Sequence, residues 1–256
     1  TVYVSDVKTP YILKVRGISH EKKKSLEELY GIRFGAMGMK ETYIKCGNLE
    51  QKGVRSDFVN IANLSNKPME VGFMDVSDNL SIKVTPNPVP PRETAELEFT
   101  VSASREKWGR NDYWATPVVN GQAVKASNGD SRIGFWAFTK ENFSGLTDEE
   151  KAKGSRPMFD ASTYSFGKIK AGETVHATFE FTNKGSSTFC VYKVDVNACK
   201  WSHSDIPAVA PGEKAKFRVH LDTSKLPKGE ALAIVTLTTN SPHRPIVNLF
   251  ISGWIE

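Results

Sequence analysis

The second half of the chain alternates apolar and polar residues with a period of two. Val175, Ala177, Phe179 and Phe181 form one such run. Ala215, Phe217, Val219 and Leu221 form a second, and Val247, Leu249, Ile251 and Ile255 a third. This period places every other side chain on one face of a strand. Turn-forming residues separate the runs: Ala171-Gly172, Asn183-Lys184-Gly185, Pro211-Gly212, Pro227-Lys228-Gly229 and Asn240-Ser241-Pro242. Short strands at this spacing, with no amphipathic helix between them, predict an antiparallel sandwich.

The pattern recurs in the first half. Tyr164-Ser165-Phe166-Gly167-Lys168-Ile169 is echoed by Ile32-Arg33-Phe34-Gly35-Ala36-Met37, and Val175 to Asn183 by Val54 to Asn63 with a one-residue slip. Pro211-Gly212-Glu213 is echoed by Pro91-Arg92-Glu93. A repeat of this kind fixes domain organisation more firmly than local propensity does. The fold class expected is all-β: tandem immunoglobulin-like antiparallel sandwiches, the first spanning residues 26–141 and the second 157–256. The last hairpin, Thr236 to Gly253, also resembles Thr1 to Gly17. Residues 1–18 therefore read as the closing hairpin of a further, upstream repeat, joined by a linker at 19–25. Within the connection 142–156, Thr147 and Glu150 have the spacing of a capping box, which predicts one helical turn through about Lys153. Residues Gly38 to Gly53, which include Tyr43, Ile44 and Cys46, read as a packed surface loop.

Composition narrows the function. The 256 residues are 39% hydrophobic and 25% charged, which excludes disordered and low-complexity classes. No apolar run is long enough to span a membrane as a helix. The net charge of +5 is spread along the chain and only Lys22-Lys23-Lys24 forms a run, so nucleic acid is not an expected partner. The start at Thr1, without an initiator Met, reads as a processed start. Three cysteines, Cys46, Cys190 and Cys199, are too few for a disulfide scaffold.

Candidate chemistry is sparse. No nucleophile elbow, zinc-protease motif or phosphate-binding glycine loop is present, so the reading is non-enzymatic and without a cofactor. Cys199, His203 and Asp205 could place three metal ligands on one loop, but a fourth is not evident nearby. His176 and His220 fall out of phase with the apolar residues and belong on the solvent face. The main binding candidate is an aromatic cluster on a long hairpin from about Tyr113 to Phe138, in which Trp108, Tyr113, Trp114 and Trp136 could stack a sugar ring or a partner's apolar side chain. The alternative is that alternate rings fill the core and the rest cover the domain junction.

Phe166-Gly167-Lys168-Ile169, Gly172-Glu173, Phe179-Glu180-Phe181-Thr182-Asn183-Lys184-Gly185, Pro211-Gly212-Glu213 and Thr238-Thr239-Asn240 closing at Gly253 together resemble the bacterial "domain of unknown function 1573" family. The first domain looks like a divergent middle repeat of its multi-repeat members, with Trp108-Gly109 and Glu141-Asn142-Phe143-Ser144 in place. The resemblance implies a sandwich related to the major sperm protein and periplasmic chaperone group. It also implies export in Gram-negative bacteria and no known activity. The family's Cys-Gly-Cys motif is reduced here to Ala198-Cys199-Lys200-Trp201, with a single thiol. The function expected is an extracytoplasmic spacer or protein-interaction module with an envelope protein as partner. Glycan or peptide binding by the aromatic cluster is the alternative, and chaperone-like strand-donor binding a lesser one.

Overall fold

The computed structural model describes residues 23–103, 107–198 and 200–256; the expected hairpin at 1–18 and Cys199 lie outside them. In the first half, a single-turn helix α1 (Leu26–Leu29) precedes ten strands: β1 (Ile32–Phe34), β2 (Met37–Met39), β3 (Tyr43–Glu50), β4 (Val54–Asn63), β5 (Val71–Met74), β6 (Leu80–Thr85), β7 (Thr94–Ser102), β8 (Gly109–Val119), β9 (Gln122–Ala123) and β10 (Ile133–Lys140). They form two facing sheets, ordered β1-β2-β4-β7-β6 and β3-β10-β8-β5, with β9 attached to β8. After α2 (Asp148–Ala152) come β11 (Pro157–Phe159), β12 (Thr163–Ile169), β13 (Thr174–Asn183), β14 (Val191–Val196), β15 (Trp201–His203), β16 (Lys214–Asp222), β17 (Gly229–Thr239) and β18 (Ile246–Ile255). These pair as β11-β13-β16-β15 and β12-β18-β17-β14.

Period-two alternation produces both cores. In β7 the inward positions are Ala95, Leu97, Phe99 and Val101, and Phe99 packs on Phe135 of β10 with ring centroids 5.1 Å apart. In the second sandwich Val175, Ala177, Phe179 and Phe181 meet Phe217, Val219 and Leu221, and β18 adds Val247, Leu249, Ile251 and Ile255, all buried. From β2 through β8 the first sandwich recurs in the second at a spacing of 120 residues, as from Asn63 to Asn183, while the last strands, β10 and β18, stand 116 apart. Each of these fully buried asparagines donates to a main-chain oxygen at the same relative place, Val89 at 3.0 Å and Val209 at 2.9 Å. Such bonds satisfy polar groups that would otherwise be costly to bury.

The all-β fold of tandem immunoglobulin-like, largely antiparallel sandwiches is as expected, and each sandwich adds one parallel pair: β3 runs parallel to β10 and β12 parallel to β18. A parallel neighbour needs a long crossover, and here nearly the whole sandwich is that crossover. Two other expectations are corrected. Residues 38–53 are not a loop: half of them build β3, with Ile44, Cys46 and Leu49 buried. Gly47 and Gly53 and the intervening charged residues masked the pattern, since the pairing partner of β3 lies far along the chain. Finally, the counterpart of Phe166-Gly167 at the 120-residue spacing is Cys46-Gly47 rather than Phe34-Gly35. Both Gly47 and Gly167 sit at positive φ, +83° and +67°, where their strands slip register against the last strand of the sandwich. Phe34-Gly35 instead turns the β1–β2 hairpin, which the second sandwich lacks.

The Thr147 capping box forms as expected: its hydroxyl accepts from the Glu150 amide at 3.3 Å and the Glu150 carboxylate accepts from the Thr147 amide at 2.7 Å. Ser25 and Glu28 cap α1 in the same way, a Ser-x-x-Glu signal present in the sequence but not assigned to a helix.

Candidate functional site

The aromatic cluster divides into three places. Tyr113 is a core residue, 2% exposed, because it sits in phase with Ala115 and opposite Phe135. Trp108 stacks on Tyr192 of the second sandwich, with centroids 4.5 Å apart and planes at 12°. Only Trp114 and Trp136 stand on the outer face of the β3-β10-β8-β5 sheet. The four rings therefore do not form one patch: neighbouring strand residues point to opposite faces, and Trp108 precedes the strand.

That outer face is organised around Gly134. In register across three strands, Gly134 lies between Tyr43 on β3 and Trp114 on β8. A Cβ at Gly134 would fall 2.3 Å from the Tyr43 ring and 3.2 Å from the Trp114 ring, so glycine alone lets both rings close over the strand. The rings are 6.2 Å apart, and Trp114 is 39% exposed. With Thr42, Asp130, Ser131 and Arg132 they line an open cleft of about 480 Å³. The Asp130 carboxylate is held at the rim by the Thr42 hydroxyl at 2.6 Å and the Asn128 amide at 2.9 Å.

Beside the cleft runs a charged and aromatic ladder. The Arg110 guanidinium lies 4.9 Å from the centre of the Trp136 ring and 5.7 Å from that of Tyr43, and Lys45 covers Trp136 at 5.4 Å. Arg110 donates to Asp112 at 3.3 Å and to the Tyr43 hydroxyl at 2.7 Å, and that hydroxyl donates to Asp112. Burial first, and then the Asp112 carboxylate, push the Tyr43 phenol above its usual range. The arrangement is a stacking platform with fixed polar groups at its margin. Tyr43, Asp130, Arg132 and Gly134 were not legible as site residues, because no local motif joins them; the one usable signal was a glycine inside an apolar strand.

The junction between sandwiches is a second built feature. The Arg110 amide donates to Asp195 at 3.0 Å, Lys193 donates to the Arg110 carbonyl at 2.7 Å, and Lys193 and Asp195 form an ion pair at 3.2 Å. Tyr192 also donates to Glu141 at 2.7 Å. Gly109, at φ +71°, passes so close that a Cβ there would lie 2.3 Å from Asp195 Oδ2.

The suggested metal ligands are not assembled by the described residues. His203 is exposed, stacks on Trp201 at 6.0 Å and contacts the Ser204 carbonyl at 2.7 Å, Asp205 is exposed, and Cys199 is undescribed. Among the described residues no group of three or more His, Cys, Asp or Glu is placed to hold a metal ion. His176 and His220 do lie on the solvent face, paired in register with ring nitrogens 2.5 Å apart. Cys46 and Cys190 are free thiols.

The paired sheets define tandem immunoglobulin-like sandwiches. Residues 158–255, which make up the second sandwich, match the family described as "Protein of unknown function (DUF1573)". The chain is similar in fold to a protein of unknown function from Porphyromonas gingivalis W83, with a TM-score of 0.67 and 15% identity over 86% of this chain and 100% of that one. A weaker likeness joins it to the ASH/PapD-like domain 7 of human CEP192, with a TM-score of 0.34 and 12% identity over 45% of this chain and 94% of that domain. No curated protein matches the chain in sequence. Among the described residues no helix is long and apolar enough to cross a membrane.

Proposed function

We propose that this chain is a non-enzymatic, extracytoplasmic interaction module whose two sandwiches, with domain limits near residues 26–141 and 157–256, act as one stiff spacer presenting surfaces to an envelope protein. The observation that carries this reading is the junction, where Trp108 against Tyr192 and Arg110 against Asp195 and Lys193 hold the second sandwich to the first. Two domains joined only by a linker are expected to move independently; a stacked, hydrogen-bonded contact restricts them. Small-angle X-ray scattering of the chain tests the idea. A single compact arrangement at all salt concentrations supports it, and a broad ensemble of domain orientations refutes it. Export is tested by fractionating native cells; recovery in the cytoplasm overturns the location.

A second reading is favoured by the cleft at Gly134. There Trp114 and Tyr43 offer aromatic faces, and Asp130 and Arg132 offer partners for hydroxyl groups, which suits a sugar ring. Titrating soluble oligosaccharides against tryptophan fluorescence should give a saturable change that Trp114→Ala abolishes. No change with neutral or acidic oligosaccharides sinks the glycan reading.

A further inference from the structure

The two sandwiches treat one sheet edge differently. In the first, β2 is covered by β1, paired in the register Ile32 to Met39, Arg33 to Gly38 and Phe34 to Met37. The outer edge of β1 is closed in turn: the Ser127 amide donates to the Arg33 carbonyl at 2.7 Å and the Arg33 amide donates to the Ser127 hydroxyl at 3.1 Å. At the 120-residue spacing β2 corresponds to β11, and the equivalence is visible in the bonds. Leu64 donates to the Ala36 carbonyl at 2.9 Å, and Lys184 donates to the Arg156 carbonyl at 2.8 Å. Yet no counterpart of β1 precedes β11, because α2 and Gly154-Ser155 occupy that stretch. Among the described residues, nothing pairs with the outer edge of β11.

The exposed groups of that edge follow from strand alternation. Arg156 and Asp160 bond inward, to Lys184 and to the Glu180 carbonyl at 3.0 Å, so Pro157 and Phe159 turn their main-chain groups outward. They offer the Phe159 amide and the carbonyls of Pro157 and Phe159. Pro157 withholds the remaining donor, which weakens indiscriminate edge pairing without closing the edge.

Beside this edge lies a cleft of about 680 Å³ lined by Arg156, Pro157, Met158, Phe159, Lys184, His243 and Arg244. Met158 is 55% exposed, and the Arg244 guanidinium sits 5.9 Å from the centre of the Phe159 ring. Lys184, Arg156 and Arg244 give the lining a positive charge, and no carboxylate of the described residues belongs to it.

We propose that the open edge of β11 accepts an extended, acidic segment of a partner protein as an added antiparallel strand, taking the place that β1 takes in the first sandwich. Apolar side chains at alternate positions would face Phe159 as Phe34 and Ile32 face the first core, and flanking carboxylates would meet Arg156, Lys184 and Arg244. The inference deepens the protein-interaction reading and rests on it, while being independent of whether the two sandwiches move as one body.

The test uses the whole chain and a short synthetic peptide that alternates Val and Thr between Glu ends, with a Lys-ended counterpart. Fluorescence anisotropy should show saturable binding of the Glu-ended peptide, and at least about tenfold weaker binding of the Lys-ended one. The Phe159 amide should exchange more slowly with solvent when the Glu-ended peptide is bound. Lys184→Glu with Arg244→Glu, both at the surface, should reverse the preference. If that double variant does not fold, the wild-type affinity should still fall as salt rises. Equal affinity for both peptides, or unchanged exchange at Phe159, overturns the proposal. So does concentration-dependent protection of Phe159 without peptide, which would mean that a second copy of the chain takes the edge. The scattering result stands or falls separately, so failure here is distinguishable from failure of the spacer reading.

Discussion

Replacing Gly109 with alanine should uncouple the two sandwiches. Gly109 is buried, holds φ at +71°, and leaves room for Asp195, which a Cβ would approach to 2.3 Å, with Lys193 Cδ at 2.8 Å. Two effects combine. An L-residue in this conformation costs roughly 1–2 kcal/mol wherever it occurs. The clash costs more, and only in the docked state. To clear it Asp195 must leave the Arg110 amide, now 3.0 Å away, and a hydrogen bond to a charged group contributes about 1.5–3 kcal/mol. Loosening the Trp108–Tyr192 stack removes roughly 0.5–1.5 kcal/mol beyond area burial. A docked-state penalty of about 2–4 kcal/mol shifts the docking equilibrium by roughly thirtyfold or more. Gly121 provides the control, because it sits at φ +78° with nothing within 4 Å of a Cβ. Gly121→Ala carries the backbone cost alone. Nitrogen-15 relaxation should give one rotational correlation time for wild type and Gly121→Ala, and two shorter ones for Gly109→Ala. If Gly109→Ala still tumbles as a single body, the junction does not hold the sandwiches as argued.

Other consequences are as direct. Asn183→Ala removes donation to Ser187 and Val209 and acceptance from the Arg156 and Gly185 amides, and should lower stability by about 3 kcal/mol in urea unfolding; Asn63→Ala should do the same to the first sandwich, and a cost below about 1 kcal/mol in both contradicts the role given to these residues. The Cys46 thiol, 1% exposed, is pushed by burial from 9.0 up to about 11. Its raised value favours the folded chain fully below pH 9.0, and the benefit declines as pH rises toward about 11, since the unfolded thiol ionises first. Urea midpoints of wild type should therefore fall more steeply between these pH values than those of Cys46→Ala, and a thiol reagent at pH 8 should label Cys190 while Cys46 stays protected; equal labelling contradicts the burial. Thr147→Ala should loosen only α2, costing about 1 kcal/mol, seen as faster amide exchange at Glu150 with little change in the global midpoint.

Much of the fold was legible because β-sandwich cores impose a local rule. Val175 to Phe181, Phe217 to Leu221 and Val247 to Ile255 alternate, and each inward residue is buried. The Thr147 capping box was equally readable, since its partners lie three residues apart. The site was not. Tyr43 and Gly134 are neighbours only because β3 pairs in parallel with a strand near the end of its sandwich. The aromatic cluster misled for a related reason: Tyr113 and Trp114 are adjacent in sequence yet point to opposite faces.

The sequence by itself determined the alternating strands of the second sandwich, their inward faces, the turn chemistry and a repeat whose 120-residue spacing is visible in Asn63 and Asn183. These depend on contacts within a strand or a turn. The tertiary structure alone decided which edges are closed, which rings share a face, and how one sandwich meets the next. Parallel pairing and domain docking join residues far apart along the chain, and nothing in the local alternation specifies which distant partner a strand or a ring will find.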